Sequence, residues 1–68
     1  MKAFLLPNGK TVERDATHCV AILRGNRWTH KWFKSLRGAD NEIKFWQRAS
    51  ASTKAYYNVE EFHLVKGN

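Results

Sequence analysis

The hydrophobic and polar positions at the N-terminus alternate as they do in a short β-hairpin. Residues 2–6 and 11–14 each fit a strand, and the segment between them contains Pro7 and Gly9, two residues that favour turns. A glycine in such a turn can adopt a positive φ at no steric cost. The pattern therefore predicts an N-terminal β-hairpin.

The apolar segment at residues 16–23 has two interpretations. Residues 19–23 form a continuous apolar run, which suits a buried strand. One face of a helix would also collect the apolar side chains of Ala16, Cys19, Val20 and Leu23. Asp15 or Thr17 can provide an N-cap oxygen, and Gly25 stands where a left-handed C-terminal cap is expected. These end signals favour a helix.

Residues 26–38 separate apolar from basic positions most clearly. At about 100° per residue, a helix would have an apolar arc of Trp28, Trp32, Phe33 and Leu36. Its opposite side would carry Arg27, His30, Lys31, Lys34 and Arg37. A strand would instead set Lys34 beside Leu36. The pattern predicts a basic amphipathic helix between Asn26 and Gly38, against the β-propensity of the aromatic residues.

Polar and apolar positions alternate again in the C-terminal half. The clearest alternation runs through Ile43, Lys44, Phe45, Trp46 and Arg48. It predicts a second antiparallel hairpin over residues 42–49 and 54–59, followed by a short strand at 62–65. The predicted fold class is α+β. Residues 1–68 form a single small domain with an N-terminal β-hairpin, one or two short central helices and a C-terminal antiparallel hairpin.

The C-terminal segment supports an alternative fold. Residues 55–65, with the sequence Ala-Tyr-Tyr-Asn-Val-Glu-Glu-Phe-His-Leu-Val, resemble the last two strands and the intervening turn of SH3-like barrels. The resemblance covers about a sixth of the chain. It implies an all-β barrel in which residues 16–37 are largely strand.

Composition adds information about the partner. The 68 residues suffice for one domain, and a hydrophobic fraction of 43% makes a compact core feasible. There are 12 Lys and Arg residues against 6 Asp and Glu, which gives a net charge of +6. A charge of this size on so small a chain favours polyanions: nucleic acid, an anionic membrane or an acidic protein surface.

The cysteine count and the N-terminus bear on cellular location. Cys19 is the single cysteine and cannot form an internal disulfide, which fits a reducing cytoplasm. The apolar run before Pro7 is too short for a signal peptide. No apolar run approaches the roughly 20 residues of a membrane span. We therefore expect a cytoplasmic protein that does not insert into a membrane.

The excess of basic residues lies in the middle of the chain. Residues 16–59 carry a charge of +6, whereas residues 1–15 sum to +1 and residues 60–68 to −1. Residues 16–39 contain no acidic residue, and their five basic residues form a first group: Arg24, Arg27, Lys31, Lys34 and Arg37. A second group in the predicted hairpin consists of Lys44, Arg48 and Lys54, together with Trp46 and Tyr56. We expect these ten residues to contact nucleic acid or an acidic partner.

Three local arrangements resemble catalytic or metal-binding motifs, but each lacks a required part. The Gly-Lys-Thr string at residues 9–11 lacks the first glycine and the following helix of a P-loop. Asp40, Glu42 and Lys44 lack the upstream acid that a nuclease metal site requires. The three histidines and Cys19 lack the paired spacing of zinc ligands. We expect no catalytic residue, no metal and no cofactor.

The leading hypothesis is a small nucleic-acid-binding accessory or regulatory protein. The predicted basic helix would face phosphates, and the hairpin at residues 44–54 would act as a wing. Reversing Lys31 and Lys34 to Glu should then abolish polyanion binding and leave the fold intact. The alternative is an interaction protein, of the kind that phages and mobile elements encode. It would inhibit or redirect a larger host protein by docking on its acidic surface, with Trp46 as an exposed anchor.

Overall fold

Seven elements make up the computed structural model, which describes all 68 residues. In chain order they are β1 (Lys2–Leu5), β2 (Thr11–Arg14), β3 (His18–Arg24), β4 (Arg27–Phe33), α1 (Leu36–Arg48), α2 (Ala51–Tyr56) and β5 (Val59–Lys66). β1 and β2 form a two-stranded antiparallel sheet, and a three-stranded antiparallel sheet has the order β4-β3-β5. The fold is α+β, as predicted. Because neither sheet closes on itself, the SH3-like barrel is wrong.

The predicted N-terminal hairpin is confirmed, since β1 and β2 pair along their whole length. Gly9 in the connecting turn has a φ of 87°, a conformation that L side chains rarely adopt. Asn8 Oδ1 accepts a hydrogen bond from the backbone N–H of Lys10 at 3.0 Å. The Gly-Lys-Thr string therefore belongs to a hairpin turn and the start of a strand.

A β-hairpin stands where the sequence predicts helices over residues 16–23 and 26–38, and both helix predictions are wrong. β3 and β4 are joined by Gly25 and Asn26, and φ is positive only at Gly25, at 61°. A positive φ at the first of two turn residues is the pattern of a type II′ hairpin turn. β3 is the central strand, and residues 19–22 are buried on both of its faces. The continuous apolar run of this segment is therefore that of a fully covered strand.

Two helices replace the second predicted hairpin, so the strand predictions at 42–49 and 54–59 are wrong. α1 begins after Ser35, whose Oγ accepts the backbone N–H of Gly38 at 3.2 Å. α2 begins after Ser50, whose Oγ accepts a backbone N–H three residues later at 3.2 Å. Both serines are N-caps of the usual kind. The side of α1 that packs on the sheet contains Ala39, Ile43 and Trp46.

The final strand is confirmed as β5, which spans Val59–Lys66 and is longer than the predicted strand at 62–65. β5 pairs antiparallel with β3, with an irregularity of register between Leu23 and Arg24. Asn58, just before β5, has a φ of 56°, and its carbonyl accepts the N–H of Gly25 at 3.0 Å. This hydrogen bond joins the turn between α2 and β5 to the turn between β3 and β4. The predicted C-terminal hairpin is absent because its two segments lie mostly in α1 and α2.

Two small apolar cores lie on opposite faces of the three-stranded sheet. Successive side chains of a strand point to opposite faces. Cys19 packs with Phe4 and Leu6 of the N-terminal hairpin. Val20, one position later, packs with residues of α1 that include Trp46. The hairpin and α1 therefore cover opposite faces of the sheet, and the outer side of α1 is left to the solvent.

Candidate nucleic-acid interface

α1 presents a basic face to the solvent. Its apolar side, with Ala39 and Trp46 both buried, packs on the sheet. At about 100° per residue, three exposed cations lie within about 40° of one another on the opposite side. An exposed amide and an exposed aromatic residue lie next to them. The basic face of α1 is defined as Arg37, Asn41, Lys44, Phe45 and Arg48.

Two of the three cations on this face have no carboxylate partner. Lys44 Nζ lies 2.9 Å from Asp40 Oδ2, one helical turn earlier. Arg37 and Arg48 form no ion pair. Their Cα atoms are separated by roughly 17 Å along the helix axis. Each guanidinium is therefore available for a bidentate contact with a phosphate or carboxylate.

A shallow groove of about 410 Å³ runs along the basic face of α1, lined by Asn41, Lys44, Phe45, Arg48 and Ala49. The ring of Phe45 is 55% exposed and lies edge-on to the buried ring of Trp46, with 5.0 Å between the centroids. The groove thus brings together an ion-paired lysine, an unpaired arginine, an amide and an exposed aromatic ring.

The first predicted group of basic residues does not form one surface. Arg24 and Arg27 are register partners at the end of the β3–β4 hairpin. Lys31 lies in β4, and its Nζ contacts Oε1 of Glu42 in α1 at 3.0 Å. Arg37 belongs to α1 and points to its outer side. The expectation of a continuous stripe is wrong, because a strand followed by a helix presents these positions in different directions.

Lys34 is also separate from the basic face of α1. It follows β4, and its Nζ lies 3.5 Å from Asp15 Oδ2, with both side chains largely exposed. The ion pair of Lys31 with Glu42 changes what a charge reversal would do. A Glu at position 31 would lie against the carboxylate of Glu42 and disturb the contact between β4 and α1. Substitutions on the outer side of α1, away from this contact, therefore test polyanion binding with less effect on the fold.

Trp46 is part of the core, so its predicted role as an exposed anchor is wrong. Helical spacing places it on the same side of α1 as Ala39, and it is 4% exposed. The guanidinium carbon of Arg24 lies 5.8 Å from the centroid of its ring and 5.9 Å from that of Tyr57. Arg24 Nε is buried and has no hydrogen-bond partner.

The last two predicted contact residues lie on α2, which replaces the predicted wing. Lys54 Nζ lies 5.7 Å from the ring centroid of Phe62, at the edge of the core. Tyr56 is 80% exposed and packs edge-to-face on Tyr57, with 4.9 Å between the ring centroids. These two residues therefore belong to a second exposed area, next to the C-terminal end of α1.

The groups considered for catalysis and metal binding serve other purposes. Asp40 and Glu42 each form an ion pair with a lysine, and no group of three or more His, Cys, Asp or Glu side chains could hold a metal ion. Burial raises the pKa of the Cys19 thiol to about 11, so it is uncharged at neutral pH. Burial, followed in size by the charge of Arg14, lowers the pKa of His30.

Asn41 and Phe45 are the members of this surface that sequence reasoning misses. The signal for Asn41 is the spacing of residues 37, 41, 44 and 48, which share one side only if the segment is helical, and Phe45 borders that side. Comparison with protein-family models, curated proteins and solved structures finds no match to this chain. No helix is both long enough and apolar enough to cross a membrane.

Proposed function

We propose that this chain is a small nucleic-acid-binding accessory or regulatory protein that contacts phosphates through the basic face of α1. The observation that carries the proposal is the pair of guanidinium groups at Arg37 and Arg48. Both are exposed, neither is neutralised, and they stand at opposite ends of the outer side of one helix. Lys44 lies between them and adds a third cation.

The dimensions of α1 suit a nucleic-acid groove. Its 13 residues correspond to roughly 20 Å of helix. The major groove of B-DNA is about 12 Å wide and admits one α-helix. Each phosphate neutralised by Lys or Arg releases a counterion, so the affinity should depend steeply on salt. Phosphate contacts carry no sequence information, and the proposal includes no sequence preference.

A second candidate function is binding to the acidic surface of a larger protein. The exposed ring of Phe45 favours it, because aromatic residues and arginine are both enriched at protein interfaces. In that case the same face of α1 would be used, and its cations would steer the encounter. The two candidates therefore differ in the partner and agree on the surface.

A fluorescence-anisotropy titration with random-sequence duplex DNA, single-stranded DNA and RNA, at several salt concentrations, tests the proposal. The informative variant is Arg37→Gln with Arg48→Gln, since glutamine keeps the helix propensity and removes the charge. We expect weaker binding to every sequence. The plot of log affinity against log salt concentration should also be shallower, by a slope that corresponds to about two released counterions.

The matched control is Lys2→Gln with Lys10→Gln, which removes the same charge from the N-terminal hairpin on the other face of the sheet. We expect the control to bind almost as the wild type does. Absence of binding at low salt would refute the proposal in favour of a protein partner. Equal losses in both double variants would refute the assignment to α1, since only the net charge would then matter.

A further inference from the structure

A cleft between β4 and α1 lies inward of the basic face of α1 and shares only Phe45 with it. It consists of two adjoining cavities of about 340 and 290 Å³, and both are lined by Arg24, Lys31 and Glu42. Sites for small ligands begin at about this size. Because the same three charged residues line both cavities, we treat the cleft as one candidate site.

Glu42 organises the charges of the cleft. Its Oε1 accepts from Lys31 Nζ at 3.0 Å, and its Oε2 accepts from Trp46 Nε1 at 2.9 Å. The carboxylate is therefore occupied on both oxygens and balances the charge of Lys31. Arg24 forms no ion pair and remains the uncompensated charge of the cleft.

Arg24 is held in place by contacts that leave its N–H groups unused. Its guanidinium carbon lies 5.8 and 5.9 Å from the ring centroids of Trp46 and Tyr57. Such stacking positions the charge without engaging its donors. Nε is buried and has no hydrogen-bond partner. Buried donors in folded proteins are nearly always paired with protein or water, so this N–H is a donor that a bound ligand can satisfy.

A second observation supports an anionic ligand. Arg24 lies directly across from Arg27 in the register of β3 and β4. Like charges at directly opposite positions of an antiparallel pair are destabilising. The hairpin nevertheless places them there, and Nε of Arg24 is itself the buried donor with no partner. A bound anion would relieve the repulsion and supply the missing acceptor in the same place.

We infer that this cleft binds a nucleotide, with its phosphate on Arg24 and Lys31. Lys31 uses one of its three donors on Glu42 and retains two. The rim supplies two aromatic rings, since Tyr57 is 45% and Phe45 is 55% exposed. A base has a flat face that stacks on such rings, whichever base it is. The nucleotide is either free or an unpaired member of a strand. Binding of a free nucleotide would support the inference even if the basic face of α1 bound no nucleic acid.

The indole N–H of Trp46 reports on this cleft, because it donates to Glu42 and its ring lies beneath Arg24. We propose to follow its assigned resonance by heteronuclear NMR during titration with a nucleoside monophosphate, with a short single-stranded oligonucleotide and with inorganic phosphate. A saturable shift with either nucleotide probe supports the inference. Which probe produces it shows whether the ligand is a free nucleotide or part of a strand. We expect nucleoside monophosphate to bind about tenfold more tightly than phosphate. No shift with either nucleotide probe, or equal affinity for phosphate, overturns it.

Two register partners provide a matched pair of variants. Arg24→Gln and Arg27→Gln remove the same charge, but Arg27 lines neither cavity. We expect Arg24→Gln to weaken nucleotide binding by about tenfold and Arg27→Gln, which lowers only the nearby positive charge, to weaken it clearly less. Equal losses would show that diffuse charge is responsible and would overturn the inference.

Two further variants serve as controls. One tests whether a loss of binding reflects a loss of folding, and the other tests whether the cleft binds independently of the basic face of α1. Arg24→Lys keeps a cation over the aromatic rings and removes Nε. We expect it to fold as the wild type does and to bind less tightly. Arg24→Lys with wild-type affinity would overturn the role of Nε. Arg37→Gln with Arg48→Gln should retain the Trp46 shift even where it loses duplex binding. Loss of the shift in this variant would mean that the cleft is not an independent site.

Discussion

Trp46 donates its indole N–H to Oε2 of Glu42, one turn earlier in α1, at 2.9 Å. The other oxygen of Glu42 accepts from Lys31 in β4 at 3.0 Å. One carboxylate therefore ties the largest buried side chain of α1 to the edge strand of the sheet. The side chain of Glu42 is 18% exposed and that of Lys31 is 61% exposed, so the bond to the indole is the better protected of the two.

Removal of this carboxylate should destabilise the fold mainly through Trp46. Glu42→Ala leaves the part-buried indole N–H without an acceptor, and we expect the free energy of unfolding to fall by about 1–3 kcal/mol. Glu42→Gln keeps an oxygen for the indole and loses only the exposed ion pair. We expect that variant to lose at most about 1 kcal/mol. Urea denaturation measures both, and equal losses would contradict the role assigned to the indole bond.

The error over residues 18–33 has an identifiable cause. Gly25 is compatible with a helix cap because it follows an apolar segment, and its positive φ is indeed observed. The same residue followed by Asn26 is also the two-residue signal of a β-hairpin, and two seven-residue runs flank it. The Gly-Asn pair, together with the β-propensity of Trp28 and Trp32, favours strands.

The α+β class and the first hairpin could be predicted because their signals are local. The exposed cations could be identified individually but not grouped. Arg37 and Lys44 fall in different predicted elements, and their spacing of seven positions indicates a shared side only if both belong to one helix. The partners of Lys31 and Arg24 could not be predicted at all. Both contacts depend on α1 crossing the sheet, which is a tertiary relationship that local patterns do not specify.

Gly67 marks a close approach that the sequence does not signal. It is buried, and its N–H donates to the carbonyl of Thr17 at 2.9 Å. A Cβ there would lie 2.7 Å from Cζ of Phe4 and 2.9 Å from Cβ of Lys2. Phe4 is fully buried, so its ring is enclosed by the core that it packs in. We expect Gly67→Ala to lower the free energy of unfolding by about 1–3 kcal/mol.

The neighbouring Asn68 provides the control for this substitution. Only its backbone is engaged, in two hydrogen bonds with Ala3 at 3.1 and 2.9 Å. Asn68→Ala should therefore change stability by less than about 0.5 kcal/mol in the same urea titration. If Gly67→Ala proved as stable as Asn68→Ala, the C-terminus would not pack against Phe4 as described.

Cys19 should be unreactive in the folded protein. It is fully buried between the N-terminal hairpin and the sheet, and burial raises the pKa of its thiol from 9.0 to about 11. The thiolate is the reactive form, and it is both scarce and inaccessible in the native state. With a chromogenic disulfide reagent at mildly alkaline pH, we expect reaction only after unfolding in urea. Rapid reaction of the native protein, at the rate of the unfolded chain, would contradict this burial.

The same shift predicts how stability depends on pH. The unfolded chain releases the thiol proton near pH 9.0, whereas the folded protein holds it to about 11. In that interval the unfolded state binds fewer protons, so stability falls as pH rises from about 9 towards 11. Below pH 9 the contribution of Cys19 is fully present. Cys19→Ala removes this group and leaves every other ionisable group in place. The variant should therefore lose less stability than the wild type between these two pH values in parallel urea titrations, and identical losses would refute the assignment.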